Sequence, residues 1–324
     1  MKLKIGLLGA GRLGKIHIKC MQAISAYELV GFYDPNAEGA EETAQEFQTI
    51  SFPSPEALIA ACDVVDIVTP TSTHFHLAAQ AAKAGKHIFI EKPLTHTIAE
   101  AEELIRLVSQ NNVKVQVGHV ERFNPAFLAL GDTPLQPMFM EAHRLANFNP
   151  RGTDVSVILD LMIHDIDIIL HLVHSEVKSI HANGVAVVSD TPDIANARIE
   201  FENGCVANLT ASRLSLKQMR KIRIFQPDAY ISIDFLEKQT QIIRLYDKSD
   251  AKRPQHDHLM ELETPKGTKM IDIQSPEPAP VNAILMELET FADAIHNDST
   301  PIVSILDGYK ALKVAHSIID EINK

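Results

Sequence analysis

The chain has 324 residues, 45% of them apolar and 22% charged, with a formal net charge of -12. That length sets an expectation of two domains, and the composition is that of an ordinary globular protein rather than a disordered or fibrous one. The acidic balance, without a basic cluster, argues against a nucleic-acid binder, and no apolar run reaches the ~18–20 residues that span a bilayer.

The opening MKLKIGLLGAG has the outline of a signal peptide, but its apolar run is short and flows directly into a Gly-rich turn, so no cleaved leader is expected. Residues 4–8 read as a strand and 12–24 as a helix, followed by a strand at 29–33 and a helix at 38–47. A strand at 64–68, an Ala-rich helix at 75–84, a strand at 87–90, a helix at 98–110 and a strand at 113–117 close the series. Repeated strand–helix units predict a doubly wound parallel sheet, and its Val/Ile runs fit strands covered on both faces. Beyond it, residues 155–173 read as one long apolar helix, and β-like runs follow at 177–188, 194–201, 205–212, 222–225 and 231–235. Asn203-Gly204 between two of them is a hairpin signal. Residues 248–279 are polar and Pro-containing and read in part as loop, before amphipathic helices at 281–296 and 307–322. The expectation is therefore an α/β domain over residues 1–120 and an α+β domain with a large, mostly antiparallel open sheet over 121–324. Cys20, Cys62 and Cys205 stand far apart without paired ligand spacing, which fits a reducing, cytoplasmic setting and supports no zinc or redox motif.

Gly9-Ala10-Gly11-Arg12-Leu13-Gly14 follows the first strand and opens the first helix, the context that gives a GxGxxG its meaning. Gly9 permits the tight turn, Gly11 lets backbone approach a pyrophosphate, and Gly14 lets helix and strand pack closely. The helix N-terminus offers free N–H groups to the anion. Asp34 ends the second strand, where a carboxylate accepts bonds from ribose hydroxyls and repels a 2′-phosphate. No Arg follows it, so NAD is favoured over NADP. Arg12 and His17 either border this cofactor or are solvated helix residues, and Tyr33 reads as packing.

Ligands of open α/β sheets bind outside the carboxyl ends of the strands. Thr69-Pro70-Thr71-Ser72-Thr73-His74 and Glu91-Lys92-Pro93 occupy two such ends. Lys92 is placed to face a nicotinamide ring, although a surface lysine in a turn fits position alone equally well. His74 and His76 read as loop histidines. On the apolar helix, Asp160 and His164 share a face at i, i+4, and Asp167 and His171 extend the stripe. Buried polar groups need partners or a ligand. A proton-accepting His tuned by a carboxylate, a satisfied buried pair, and a shared metal all fit the pattern, and the absence of further ligand spacing favours no metal.

Taken together, the GxGxxG start, Asp34, the TPTSTH segment, Glu91-Lys92-Pro93, the Asp160-x-x-x-His164 helix and the closing Pro301-Ile302-Val303-Ser304 and Asp307-Gly308 stretches resemble the Gfo/Idh/MocA oxidoreductases over nearly the whole chain. The resemblance implies a Rossmann domain, NAD, and hydride transfer from a carbinol carbon of a sugar or cyclitol. It also implies a catalytic set of Lys92, Asp160 and His164, and a homodimer or homotetramer through the open sheet. Cofactor contacts are then expected from Gly9, Gly11, Arg12, Leu13, Gly14, Asp34, Thr69, Pro70, Thr71, His74, Glu91 and Lys92. Residues 118–125 and 160–167 further resemble the branch that oxidises UDP-sugars and supplies a 3-keto sugar nucleotide to a partner aminotransferase. In that case Arg122, Asn124, Arg151 and Arg213, with Asp160 and His164, are candidate contacts to the sugar or its diphosphate, Arg being suited to phosphate by its two-pronged fork. A free sugar or inositol as substrate, or a non-catalytic NAD-binding regulator, are the competing readings. Retention of Lys92, Asp160 and His164 together opposes the last.

Overall fold

The computed structural model describes residues 2–149, 155–250, 253–255 and 258–324. Contacts divide the chain into two compact units, Met1–Phe123 with Val281–Lys313, and Asn124–Pro280 with Val314–Lys324.

The first unit opens with β1 (Leu3–Leu8), α1 (Arg12–Ala23), β2 (Tyr27–Tyr33), α2 (Ala37–Phe47) and α3 (Pro55–Ala61). It continues with β3 (Val64–Ile67), α4 (Thr71–Lys83), β4 (His87–Glu91), α5 (Ile98–Asn111) and β5 (Val115–Gly118). Helix starts follow local chemistry. Asn36 caps α2 through Gly39 N–H, Ser54 caps α3 ahead of Pro55, and Thr97 with Glu100 forms a reciprocal capping box on α5. The five strands lie in the order β2-β1-β3-β4-β5, all parallel. A single parallel bridge, Phe32 to Ser51, sits outside this set beside β2. It is a vestigial edge strand that restores the order of a dinucleotide-binding sheet. The order reverses between β1 and β3, so the switch-point crevice opens beside the turn after β1. Every residue of β3 and β5 is buried, including the polar Asp66 and Gln116, as expected of central strands covered on both faces.

The second unit contains α6 (Pro125–Leu128), β6 (Phe139–Leu145), a π-helical turn at Ile158–Met162 that runs into α7 (Ile163–Val173), and eight further strands. These are β7 (Val177–Val185), β8 (Ile194–Phe201), β9 (Val206–Ser212), β10 (Met219–Gln226), β11 (Ala229–Asp234), β12 (Gln239–Asp247), β13 (Met260–Thr264) and β14 (Gly267–Gln274). They form a nine-stranded sheet, β13-β14-β12-β11-β10-β6-β9-β8-β7, antiparallel except at β6–β9. In β8, Ala195, Ala197, Ile199 and Phe201 are buried and Asn196 and Arg198 face solvent, the period-2 pattern of a sheet covered on one face. The turn after β8 carries Gly204 at φ +85°, the left-handed conformation that the Asn-Gly pair anticipates.

The last helices are α8 (Ala283–His296) and α9 (Ile305–Ile322). Residues 281–313, expected in the second domain, pack with the first unit. Leu288, Phe291 and Ala292 of α8 join the core of Ile5, Leu7, Ile18, Phe32 and Phe89. Three further differences from expectation have local causes. Strand β6 escapes the apolar pattern because one of its inward positions is Arg144. Strands β13 and β14 fall in the segment read partly as loop, since β13 exposes four of its five residues. The expected continuous helix over 155–173 begins as a π-turn.

Candidate functional site

In the first unit the glycine turn is explained position by position. Gly9 has φ +95°, and a Cβ there would lie 2.7 Å from the Val68 carbonyl oxygen. A Cβ on Gly14 would lie 2.0 Å from the Gly9 carbonyl, so α1 and the turn can pack only if that position is bare. At Gly11 a Cβ would meet nothing within 4 Å, so protein packing does not demand glycine there. Open space at the start of α1, with no side-chain cap and no acid in its first turn, is the arrangement that lets an anion approach the amides. Arg12 and Leu13 are exposed on that first turn. Asp34, half-buried, accepts Ala10 N–H (2.8 Å) through one oxygen and Asn36 N–H (2.9 Å) through the other. This ties the tip of β2 to the glycine turn. A cleft of about 460 Å³ is lined by Tyr33, Asp34, Pro35 and residues of α2.

The two strand-end segments are joined through His74. Thr71 already begins α4, so His74 and His76 belong to a helix and not to the expected loop. The buried His74 ring has Nδ1 2.9 Å from the Pro93 carbonyl and Nε2 2.9 Å from the Thr69 carbonyl. Burial lowers its pKa, and the two carbonyls oppose that shift. The ring thereby clasps Thr69-Pro70 to Lys92-Pro93. Lys92 is half-buried, and its backbone N–H donates to Glu91 Oε2 at 3.2 Å.

Residue His17 corrects the expectation of a cofactor-bordering or solvated side chain. It is fully buried, with Nδ1 2.8 Å from Asp66 Oδ2 and Nε2 3.4 Å from Glu91 Oε1. Burial acts to lower its pKa, but the Asp66 and Glu91 carboxylates outweigh burial and hold it well above the ordinary histidine range. No sequence signal marked Glu287 on α8, yet its ligand atoms lie with those of His17 and Glu91 within 4.8 Å of one another. Arg122 is buried on a 3₁₀ turn, Val120–Phe123.

In the second unit Asp160 sits on the π-turn and His164 on the first turn of α7, both half-buried. Such widened turns recur at functional sites. Asp167, on the same helix, is buried, while His171 is exposed against the rings of Phe127 and His174. Asp165, one residue beyond His164 and not marked by the polar stripe, is buried and clasped by Arg144 through Nε at 3.2 Å and Nη2 at 2.7 Å. Two expected ligand contacts have structural engagements. Asn124 donates to the Phe235 carbonyl at 3.1 Å and caps α6 through Ala126 N–H. Arg213, also buried, donates to the Val155 carbonyl and lies 3.8 Å from Asp193. Arg151 is outside the described residues.

A parallel sheet whose switch point presents glycine amides and an acid is the architecture of a dinucleotide-binding protein. Two family models match the chain: an oxidoreductase family with an NAD-binding Rossmann fold over residues 3–119, and a GFO/IDH/MocA C-terminal domain over residues 136–231. UDP-N-acetylglucosamine 3-dehydrogenase of Acidithiobacillus ferrooxidans is 44% identical over 241 residues, 74% of this chain and 76% of that one. Its solved structure superposes with a TM-score of 0.89 at 36% identity, covering 99% and 98% of the two chains. A scyllo-inositol 2-dehydrogenase (NAD(+)) of Bacillus subtilis is 28% identical, covering 97% of this chain and 92% of its own. The chain belongs to the Gfo/Idh/MocA oxidoreductase family. It is an NAD-dependent dehydrogenase acting on CH–OH groups. Among the described residues no helix is long and apolar enough to cross a membrane.

Proposed function

We propose that this dehydrogenase oxidises the 3-hydroxyl of a UDP-N-acetylhexosamine, UDP-N-acetylglucosamine first among them, to the ketone. The observation that carries this reading is the 44% identity to a UDP-N-acetylglucosamine 3-dehydrogenase across three quarters of both chains. The open approach at Gly11 and the acid at Asp34 fit NAD, which when bound supplies the hydride acceptor. Gly9, Gly11, Arg12, Leu13 and Gly14 hold the pyrophosphate by backbone and Asp34 takes the ribose hydroxyls. Thr69, Pro70, Thr71, His74, Glu91 and Lys92 form the nicotinamide side.

In this reading His164 accepts the hydroxyl proton on an imidazole nitrogen. The Lys92 ammonium stabilises the negative charge developing on that oxygen. Asp160 orients the site. Arg122 and Arg151 serve the diphosphate by forked hydrogen bonds. Asn124 and Arg213 contribute chiefly through the backbone they hold at Phe235, Ala126 and Val155. The half-exposed face of the nine-stranded sheet is assigned to a homo-oligomer. The three thiols, all free and buried, suit a cytoplasmic enzyme, and its 3-keto product suits a following aminotransferase.

The test is NADH formation with UDP-N-acetylglucosamine, compared with N-acetylglucosamine and inositols. The expected result is turnover with the UDP-sugar and a His164→Ala variant slowed by ~10²–10⁴-fold while still binding NAD. Turnover confined to inositols would shift the assignment to the inositol branch, as the 28% relative suggests.

A further inference from the structure

The first unit buries a cluster that the proposed chemistry does not use. His17 comes from α1, Asp66 from β3, Glu91 from the end of β4 and Glu287 from α8. His17 hydrogen-bonds Asp66 through Nδ1 and brings Nε2 to 3.4 Å from Glu91, and Glu91 accepts the Lys92 backbone N–H. Gly118 on β5 lets that carboxylate fit, since a Cβ there would lie 2.8 Å from it. Glu287 is 0% exposed, neither of its oxygens has a hydrogen-bond partner, and its carboxylate lies in the same 4.8 Å group as His17 and Glu91. Gln116 of β5 pins this stretch of α8 by donating to the Glu287 backbone carbonyl.

Three carboxyls therefore face one imidazole, and of the four groups only Glu91 keeps any exposure. A buried, unpaired carboxylate is too costly to persist, so such a group takes up a proton. One imidazolium can serve two carboxylates, Asp66 and Glu91, through its two N–H groups. The third acid must then be neutral, and its hydroxyl has Glu91 as the available acceptor. We propose that Glu287 is held as the neutral acid and, with the His17 imidazolium, forms a positioning network that fixes Glu91 and through it the backbone of Lys92. This inference rests on the reading of Lys92 as the nicotinamide-side lysine.

The electrostatics agree. Burial, then Glu91, push Glu287 well above the usual carboxylate range, with His17 opposing. The titratable neighbours that feel the cluster are Cys20 of α1, which senses His17, Glu287 and Asp66, and Tyr27 of β2, which senses Asp66. The Tyr27 hydroxyl is itself engaged with the Leu288 carbonyl.

The experiment uses the full chain with NAD and needs no substrate, so its failure is separate from failure of the substrate assignment. An infrared spectrum of protein carrying ¹³C-labelled Glu is expected to show a protonated-carboxyl band at neutral pH that vanishes in Glu287→Gln. In parallel, acetylation of Lys92 by acetic anhydride is followed by mass spectrometry. Glu287→Gln, which keeps a donor and no charge, is expected to retain the Lys92 labelling rate. His17→Gln is expected to change it several-fold while NAD binding persists. The absence of an acid band in the wild-type protein, which is informative even if a variant misfolds, would overturn the proposal. So would unchanged Lys92 labelling in His17→Gln, or one equivalent of a divalent metal co-purifying with the protein, which would make the same side chains ligands.

Discussion

Buried Arg144 and Asp165 in the second unit meet as opposite charges, whereas buried His17 in the first unit faces three carboxyls. The second unit adds another satisfied acid. Asp193 accepts the Ser189 hydroxyl and the N–H groups of residues 187, 188 and 189, and although burial opposes ionisation, these bonds hold its carboxyl well below the usual range. The contrast separates two uses of buried charge. An ion pair joins α7 to β6 and fixes architecture. A surplus of acids stores a proton at the end of the strand that carries Lys92.

The largest effect expected from breaking this contrast is in the Arg144–Asp165 pair. Asp165→Ala removes the carboxylate that accepts from Arg144 Nε and Nη2 and should cost ~3–5 kcal/mol in denaturant unfolding. A single variant as stable as the wild type would mean the pair is not load-sharing. Next is Gly14→Ala, whose methyl would press on the Gly9 carbonyl. Overpacking of this kind costs ~1–3 kcal/mol, and calorimetry should show weakened NAD binding as the turn is displaced.

A third effect is a pH dependence in which Glu287→Gln isolates the contribution of the surplus cluster. Folded Glu287 titrates above its ordinary 4.5 and folded His17 above its ordinary 6.5. Each group therefore contributes stability in full below its unfolded value and loses it as pH rises through the folded one. Wild-type stability should fall from mildly acidic to alkaline pH by up to ~1.4 kcal/mol per pH unit for each linked proton. Glu287→Gln should fall less steeply. Parallel stability curves for the two proteins would rule out a buried proton on Glu287. The smallest effect is at a solvent-side cap, where Thr97→Ala should cost ~1 kcal/mol with no pH component. This provides a baseline for the others.

The same contrast explains what could be read from the sequence. The glycine turn, Asp34 and the parallel strands were legible because each is a local pattern: a turn in strand–helix context, or an apolar run. Strand β6 was hidden because Arg144 points inward and breaks the alternation, and the reason for that charge, Asp165, lies on another element. Asp165 itself was passed over because Asp160 and His164 already explained the polar stripe. Glu287 sits on an amphipathic helix where a glutamate reads as solvent-facing, and only the packing of α8 on α1 reveals it as buried. Residues 281–313 were assigned by chain order to the second domain, and nothing local signals that α8 packs with the first.

The proposed mechanism gives Lys92 and His164 complementary roles in one reaction. A double-mutant cycle on kcat/KM for NADH formation from UDP-N-acetylglucosamine, using Lys92→Met, His164→Ala and the pair together, tests it most directly. The account predicts that the double variant loses far less than the product of the two single losses, because residues acting as a unit are strongly non-additive. Losses that simply multiply, or wild-type turnover in either single variant, would contradict it.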